Sequence, residues 1–511
     1  MKTKILLMTI ALLTSLSTAA QATAWQNATM INNGTSVSSK MVESTIHWYK
    51  IVLPDAGNIT FTTTSDATLR LGGLNVYVLN REGNDLIYRS GKDMDGYGEE
   101  GAVKEFTLEG LAAGTYYISL GYFTGYGGYR LTYQWTANTN YKDDAEPNNV
   151  WTQATLIENG GLKVGRMGYY YYGPEEKDVI EWFKIVLPDD GRVTFTTTSD
   201  AILRLGGLNV YVLNDEENEL IYRSFKDMDG YGKNDSTIVY TMDDIAAGTY
   251  YISLAHFTGY GGYRLTYQWS ANSNYGNGSY PNNTWQEALP LTNGMAHQNH
   301  FGYWNGKDDR DLLDWYRIEL PADGRVTFST TSDATLRLGG LIVNVLNDEE
   351  NELIYRSFKD MDGYGKNDST VVYTMDDIAA GTYYIRLAHY IGYGGYKLAY
   401  NYQKNSYTPD TDCPSFATRR TLEEGETVYN TLGYRRLETN TEDWYDLGTI
   451  ANKQIDITIV PDTSRSVQIG IMQIFKYQGD DPNGNPILED MANTRIERSR
   501  ATLSYIDKTS E

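Results

Sequence analysis

The 511-residue chain has a single cysteine, Cys413, and only 12 prolines. One thiol allows no disulfide within the chain, which excludes the small disulfide-stapled scaffolds of animal secreted proteins. Histidine is also scarce. The five are His47, His256, His297, His300 and His389, and none belongs to a His-Glu-x-x-His helix, so a zincin site is excluded. His297-Gln-Asn-His300 occurs once and reads as a solvated loop. There is no Gly-x-Ser-x-Gly elbow for a nucleophilic serine. Beyond residue 24 no apolar run approaches the about 20 residues that span a bilayer. No stretch holds a sustained 3.6-residue apolar period, so long amphipathic helices are not expected. Positive charge is outnumbered: 43 Lys and Arg stand against 66 Asp and Glu, a net charge of −23. Such a surface repels phosphate backbones, so nucleic acid is not an expected partner. The same acids keep a tyrosine-rich chain soluble and offer hard oxygen ligands to calcium.

What the chain has in abundance is itself. Leu213–Thr237 reads LNDEENELIYRSFKDMDGYGKNDST, and Leu346–Thr370 repeats it letter for letter. A diverged copy runs through Leu79–Tyr97. Asp66, Asp200 and Asp333 mark equivalent points 134 and 133 residues apart. Solenoid repeats run about 20–50 residues, whereas domains run about 100–150. The period is therefore a domain length, and each copy is long enough to bury its own core. We expect modules over residues 25–140, 141–273 and 274–403, with a partial fourth over 404–511.

Within a module the pattern is that of strands. Val193, Phe195 and Thr197 alternate with polar neighbours after the Asp189-Asp190-Gly191 turn. Leu208–Leu213, Glu219–Phe225, Ser236–Met242, Thr249–His256 and Tyr263–Trp269 follow, separated by Gly, Asn and Asp clusters. Short strands at this spacing predict an all-β sandwich or barrel. Each module opens with Trp25-Gln-Asn-Ala28 or its copies at Trp151 and Trp285. An aromatic pair follows, at Trp48-Tyr49, Trp182-Phe183, Trp315-Tyr316 and Trp444-Tyr445. The joining segments, Thr139–Ala145, Ala271–Ser279 and Gln403–Asp412, are short and polar. Cys413 falls at the end of the last. The fourth copy reaches Glu511 before its closing strands, which implies a longer protein or a partner that supplies them.

Residues 1–24 read as a secretory signal. Lys2 and Lys4 precede the apolar run Ile5–Leu16, and Ala20-Gln21-Ala22 and Ala22-Thr23-Ala24 are small-x-small cleavage sites. The expected location is secreted or at the cell surface, with the periplasm as an alternative.

The order of motifs resembles the bacterial pre-peptidase C-terminal (PPC) domain, the group that holds collagen-binding modules of clostridial collagenases. The residues that carry it are Glu146-Pro147-Asn148-Asn149, Gly160, Asp178-Val-Ile-Glu181-Trp182-Phe183, Ala247-Gly248-Thr249-Tyr250-Tyr251-Ile252 and Tyr263-Arg-Leu-Thr-Tyr267. The resemblance implies tandem antiparallel β-sandwich domains, jelly-roll-like and non-catalytic, joined by short linkers. It also implies calcium near the module entrance, on Glu146, Asn148, Asn149, Asp178 and Glu181 in the second copy. In the third the matching residues are Asn282, Asn283, Asp311 and Asp314, with Tyr280 in place of the glutamate. The first copy departs, with Ser44 and His47 at the acidic positions. The fourth keeps Asp443 but has Asn440 before it.

Two further patterns come from the residues alone. Lys-Asp-Met-Asp-Gly-Tyr-Gly places Asp93 and Asp95, Asp227 and Asp229, and Asp360 and Asp362 two apart beside glycine. Such a loop either wraps a hard cation or simply turns between strands. It is not an EF-hand, because Tyr231 and Ile238 occupy ligand positions. The 44 tyrosines crowd glycine-rich segments. Rigid rings with a polar tip suit binding surfaces, and Tyr126, Tyr129, Tyr260, Tyr263, Tyr393 and Tyr396 are the candidates. Tyr251 and Tyr267 are expected to be structural. The function expected is non-enzymatic binding of extracellular polysaccharide or protein polymer, with calcium stiffening the entrances. The alternatives are an accessory region of a secreted protease or glycosidase and a structural surface stalk.

Overall fold

The apolar alternation of each copy folds into strands whose odd and even residues face opposite sides. In this computed structural model the described residues are 25–95, 101–138, 141–142, 147–171, 176–214, 216–228, 236–271, 275, 282–304, 310–361, 369–405, 413–461, 470–496 and 500–508. Residues 1–24, read above as a signal segment, lie outside them. Two units divide the chain. One ends at Ala271 and holds the first two copies. The other begins at Asn272 and holds the third and fourth.

In the first copy nine strands form two sheets. They are β1 (Thr29–Met30), β2 (Ser36–Met41), β3 (Ile46–Leu53), β4 (Gly57–Ser65), β5 (Leu69–Leu79), β6 (Leu86–Asp93), β7 (Val103–Leu111), β8 (Gly114–Gly125) and β9 (Gly127–Ala137). One sheet has the order β1-β3-β8-β5-β6 and the other β2-β9-β4-β7. Every pairing is antiparallel except β1 with β3. The second and third copies repeat both sheets strand for strand. Among the described residues there is no α-helix, only 3-10 turns such as Trp25–Asn27 and Trp151–Gln153. The expected tandem antiparallel β-sandwich is therefore the architecture found.

The first and third copies each show a core of their own. Ile59, Phe61, Leu74, Val76, Ile118, Leu131 and Tyr133 form the centre of the first core, all from that copy. Val326, Phe328, Leu341, Val343, Ile385, Leu398 and Tyr400 form the third. In β4 every second residue is buried, from Gly57 to Ser65, so even Thr63 faces inward. The outward threonines pair across strands, as Thr60 with Thr107 at 3.1 Å and Thr194 with Thr241 at 3.3 Å.

The short linkers do more than space the modules. In the first unit Ala112 N–H donates to Tyr170 O at 3.1 Å, and Tyr170 N–H donates to Gly110 O at 2.9 Å. In the second unit Ala379 N–H donates to Arg435 O at 3.1 Å, and Arg435 N–H to Asp377 O at 2.8 Å. These are equivalent positions, so one docking contact recurs between the first and second copies and between the third and fourth. The first contact is reinforced by a buried Arg166 paired with Asp55 and by the packing of Ala56, Ala112 and Tyr169.

The fourth copy is reduced. Its strands form three two-stranded sheets: Arg420–Thr421 with Tyr445–Asp446, Gln454–Ile459 with Ala501–Ile506, and Ile471–Asp480 with Pro486–Arg495.

Candidate functional site

The module entrance is where the segment before the first 3-10 turn meets the strand of the aromatic pair. Its backbone geometry is constant. Trp182 N–H donates to Asn148 O, Trp315 N–H to Asn282 O and Trp444 N–H to Cys413 O, each at 2.8 Å. This contact places the residue three before the turn beside the residue before the aromatic. In the second copy it brings Asn148 to the same entrance as Asp178 and Glu181, and all three are buried. In the third it gathers Asn282, Asp311 and Asp314, again all buried.

The third entrance is the more fully defined. Asp314 Oδ2 accepts from Asn299 Nδ2 at 2.9 Å and from the Tyr396 hydroxyl. Tyr396 in turn bonds the Tyr316 hydroxyl at 2.5 Å. The other oxygen, Asp314 Oδ1, accepts no hydrogen bond among the described residues, and neither does Asn282 Oδ1. Burial, followed by the neighbouring charge of Asp311, pushes the Asp314 carboxyl well above its ordinary range. Buried carboxylate and amide oxygens turned to one place, without enough protons to satisfy them, form a donor set suited to a hard cation.

The other two entrances diverge at the same positions. In the first copy His47 replaces the acid, and its Nδ1 lies 2.5 Å from the Tyr129 hydroxyl, which also contacts Tyr49. Burial lowers the His47 pKa from its ordinary value. A tyrosine–histidine cluster of this kind has no carboxylate for calcium. In the fourth copy Cys413 occupies the place of Asn148 and Asn282. It is buried and its thiol donates to Asp443 Oδ1 at 3.7 Å. Cys413 is thus an entrance residue rather than part of a linker, and a soft sulfur replaces a hard oxygen there.

Several expected site residues are placed differently. Asn149 and Asn283 are exposed, because in extended chain the neighbour of a buried residue faces outward. Glu146, Tyr280, Asp229 and Asp362 lie outside the described residues. In the Asp-Met-Asp loop the methionine decides the geometry. Met94, Met228 and Met361 are buried in their cores, and each N–H is bonded to a glycine carbonyl of the neighbouring strand. Asp95 is gripped by Arg70 through Nε at 3.0 Å and Nη2 at 2.5 Å, and Asp93 accepts from Asp95 N–H at 3.0 Å. In the first copy the loop is thus an anchored turn closed by an ion pair. Asp227 and Asp360, the matching residues of Asp93, are exposed.

The six tyrosines also separate. Tyr129, Tyr263 and Tyr396 are buried and line the entrances, so they cannot stack on an external ligand. They are on the inward phase of a strand whose outward residues are Arg130, Arg264 and Lys397. Tyr260 packs on Tyr169 and donates to Glu109 at 2.9 Å, within the contact between the first two copies. Tyr393 is half-buried against Tyr303. Tyr126 alone stands free of the surface, 71% exposed, near Phe123 at the same hairpin tip. The Phe123 position is filled in the other copies by the exposed Phe257 and Tyr390. Tyr267 is buried, and Tyr251 meets Trp151 edge-on at 5.4 Å. His297 and His300 lie on the strand Ala296–Phe301 instead of in a solvated loop. His300 is buried with Nε2 2.6 Å from Tyr275 O.

Sequence reasoning missed a second set of aromatics. Trp48, Tyr77 and Tyr88 meet on the outer face of the five-stranded sheet, with ring centroids 5.3 and 5.8 Å apart. Trp182, Tyr211 and Tyr222 repeat them at 5.2 and 5.8 Å. The available signal was the phase of the strand: Tyr49 shares the inward phase of Ile51 and Leu53, so Trp48 has to face out.

No protein-family model matches the chain, and no curated protein does. Solved structures to which it is similar include the pre-peptidase C-terminal domain of a collagenase from Bacillus anthracis, at 16% identity over 21% of this chain and 94% of that one, with a TM-score of 0.17. Another is the N-terminal CBM22-1–CBM22-2 tandem domain of Paenibacillus barcinonensis Xyn10C, at 11% identity over 53% of this chain and 92% of that one, TM-score 0.16. A third is tripeptidyl peptidase 2, at 8% identity over 73% and 32%, TM-score 0.16. TM-scores this low carry no argument about function.

Proposed function

We propose that this chain is an exported, non-enzymatic binding protein of PPC-like modules that engages extracellular polysaccharide or protein polymer. The observation that carries the reading is repetition of exposed aromatics at matched places. Each full copy offers an aromatic hairpin tip and an outer sheet face bearing tryptophan and tyrosine. Large exposed rings are costly to leave in water and mark binding surfaces. Weak sites held at fixed spacing reinforce one another through high effective concentration. Lys2, Lys4 and the Ile5–Leu16 run support export. No helix among the described residues is long and apolar enough to cross a membrane.

Calcium has a defined place in this reading. Asn148, Asp178 and Glu181 would hold it in the second copy, and Asn282, Asp311 and Asp314 in the third. The ion would neutralise buried carboxylates and fix the entering segment to the sandwich. Co-sedimentation with insoluble polysaccharides and fibrillar collagen tests the binding role, with retention on one of them as the expected result. A structural stalk is the second reading, favoured by the recurrent docking contact, and it predicts retention on none.

A further inference from the structure

The outer aromatic face carries more than exposure. In the second copy Phe225 joins Trp182, Tyr211 and Tyr222 on that face and is 56% exposed. It rests on Gly207, where any side chain would collide with the ring. Phe358, 50% exposed, rests in the same way on Gly340 in the third copy. Glycine beneath lets the ring lie down on the sheet and holds it there. Ser253, small and buried, pairs with Trp182 on one side and Asn209 on the other, which leaves room for Trp182 and Tyr211 to meet diagonally across the intervening strand. Asn209 Nδ2 donates to Ser253 Oγ at 3.0 Å, which fixes an amide beside the rings. A pinned, solvent-facing aromatic contributes nothing to the core, and its ordering entropy is already spent before a ligand arrives.

We propose that this strip binds a neutral polysaccharide, with successive sugar rings laid over Trp182, Tyr211, Tyr222 and Phe225, and that the third copy offers a shorter strip of its own in Trp315, Tyr355 and Phe358, where Asn344 stands in place of Tyr211 and Arg386 lies over the Trp315 ring at 5.9 Å. The inference rests on the binding-protein reading and names its ligand class. Aromatic faces complement the C–H faces of sugar rings, and tyrosine hydroxyls and the Asn209 amide supply hydrogen bonds to sugar hydroxyls. Charge selects among polymers. The strip's rings are uncharged, and a net charge of −23 repels an acidic glycan. The first copy has Gly91 where the others have Phe225 and Phe358, so its strip lacks that ring, and the second copy holds the fullest strip.

Affinity electrophoresis of the intact chain tests this in gels containing xylan, mixed-linkage glucan or galactomannan, beside polygalacturonate and hyaluronan, with a collagen pull-down in parallel. The expected result is retardation by a neutral glycan, with a blue shift of tryptophan fluorescence on titrating its oligosaccharide. The triple variant Tyr222→Ala, Phe225→Ala and Phe358→Ala should lose about tenfold or more in affinity with an unchanged melting temperature. Phe225→Tyr with Phe358→Tyr should retain binding, which separates loss of the ring from loss of the fold. Undiminished retardation of the folded triple variant overturns the strip. Binding to collagen or acidic glycan alone overturns the strip and leaves the binding-protein reading standing. Binding to nothing overturns both.

Discussion

At the residue scale, one position decides what each entrance is. The residue before the aromatic pair is His47, Glu181, Asp314 or Asp443 in the four copies. Asp314 keeps a buried carboxylate oxygen, Oδ1, that accepts no hydrogen bond among the described residues. Leaving such an oxygen buried costs about 1–3 kcal/mol or more. Asp314→Asn should therefore raise stability in chelator by about that amount, and it should abolish the third copy's response to calcium in a thermal melt. For the wild type, calcium should raise the melting temperature above its value in chelator, and no change would remove the metal assignments. Histidine supplies the pH dependence. His256 Nε2 lies 2.8 Å from Gly259 O, and His389 Nε2 the same distance from Gly392 O. Burial lowers both pKa values, helped by Lys177 beside His256 and Arg310 beside His389. The folded state thus resists a proton that the unfolded chain accepts near its ordinary pKa of about 6.5. Stability is present above that value and is lost as pH falls through the lowered folded-state value. In the first copy Tyr122 fills this place and bonds Gly125 O at 3.0 Å. Melting temperatures between about pH 7.5 and 5 should fall less in His256→Tyr with His389→Tyr than in the wild type.

At the element scale, most strands were legible and most side-chain assignments followed from phase. The expected strand Glu219–Phe225 is Leu220–Asp227, and Thr249–His256 is Gly248–Thr258. Alternation in Gly57–Ser65 put isoleucine and phenylalanine inward. Tyrosine was the failure. Its β-propensity is the same on either face, so composition alone could not separate exposed Tyr126 from buried Tyr129, three residues on. The Asp-Met-Asp loop was left open in the sequence for a different reason, since a pair of carboxylates looks alike whether it meets a cation or an arginine. Arg70, 25 residues before Asp95 in the chain, reaches it across the edge of the sheet. Arg70→Ala should lower the first copy's stability by about 1–3 kcal/mol, allowing for partial exposure of the arginine. That loss should be the same with calcium and with chelator, whereas a calcium loop would make it differ.

At the scale of the whole molecule, the copies in each unit are docked, not strung loosely. Arg166 is buried and paired with Asp55 from the preceding copy, and Tyr141 O accepts from its Nε at 2.6 Å. Arg166→Ala removes the charge partner and leaves the contact unfilled. The expected outcome is that the first two copies melt separately in calorimetry where the wild type melts them together. A single unchanged transition would show that the backbone exchange between Gly110, Ala112 and Tyr170 suffices. Within a unit, docking also fixes the spacing between its two copies.

The sequence by itself determined the repeat, the strands and the inward phase of each core, because duplication and period-2 alternation are local properties of the chain. It also carried the resemblance to the PPC domain, which implies the entrance acids ahead of the aromatic pair. Only the tertiary structure decided which tyrosines were buried, that Cys413 took the place of an asparagine, and that Phe225 and Phe358 rest on glycines. Those outcomes depend on residues far apart in the chain meeting across strands. The docking of one copy on the next was undecided in the sequence for the same reason, since a short polar linker permits contact but only complementary surfaces make it.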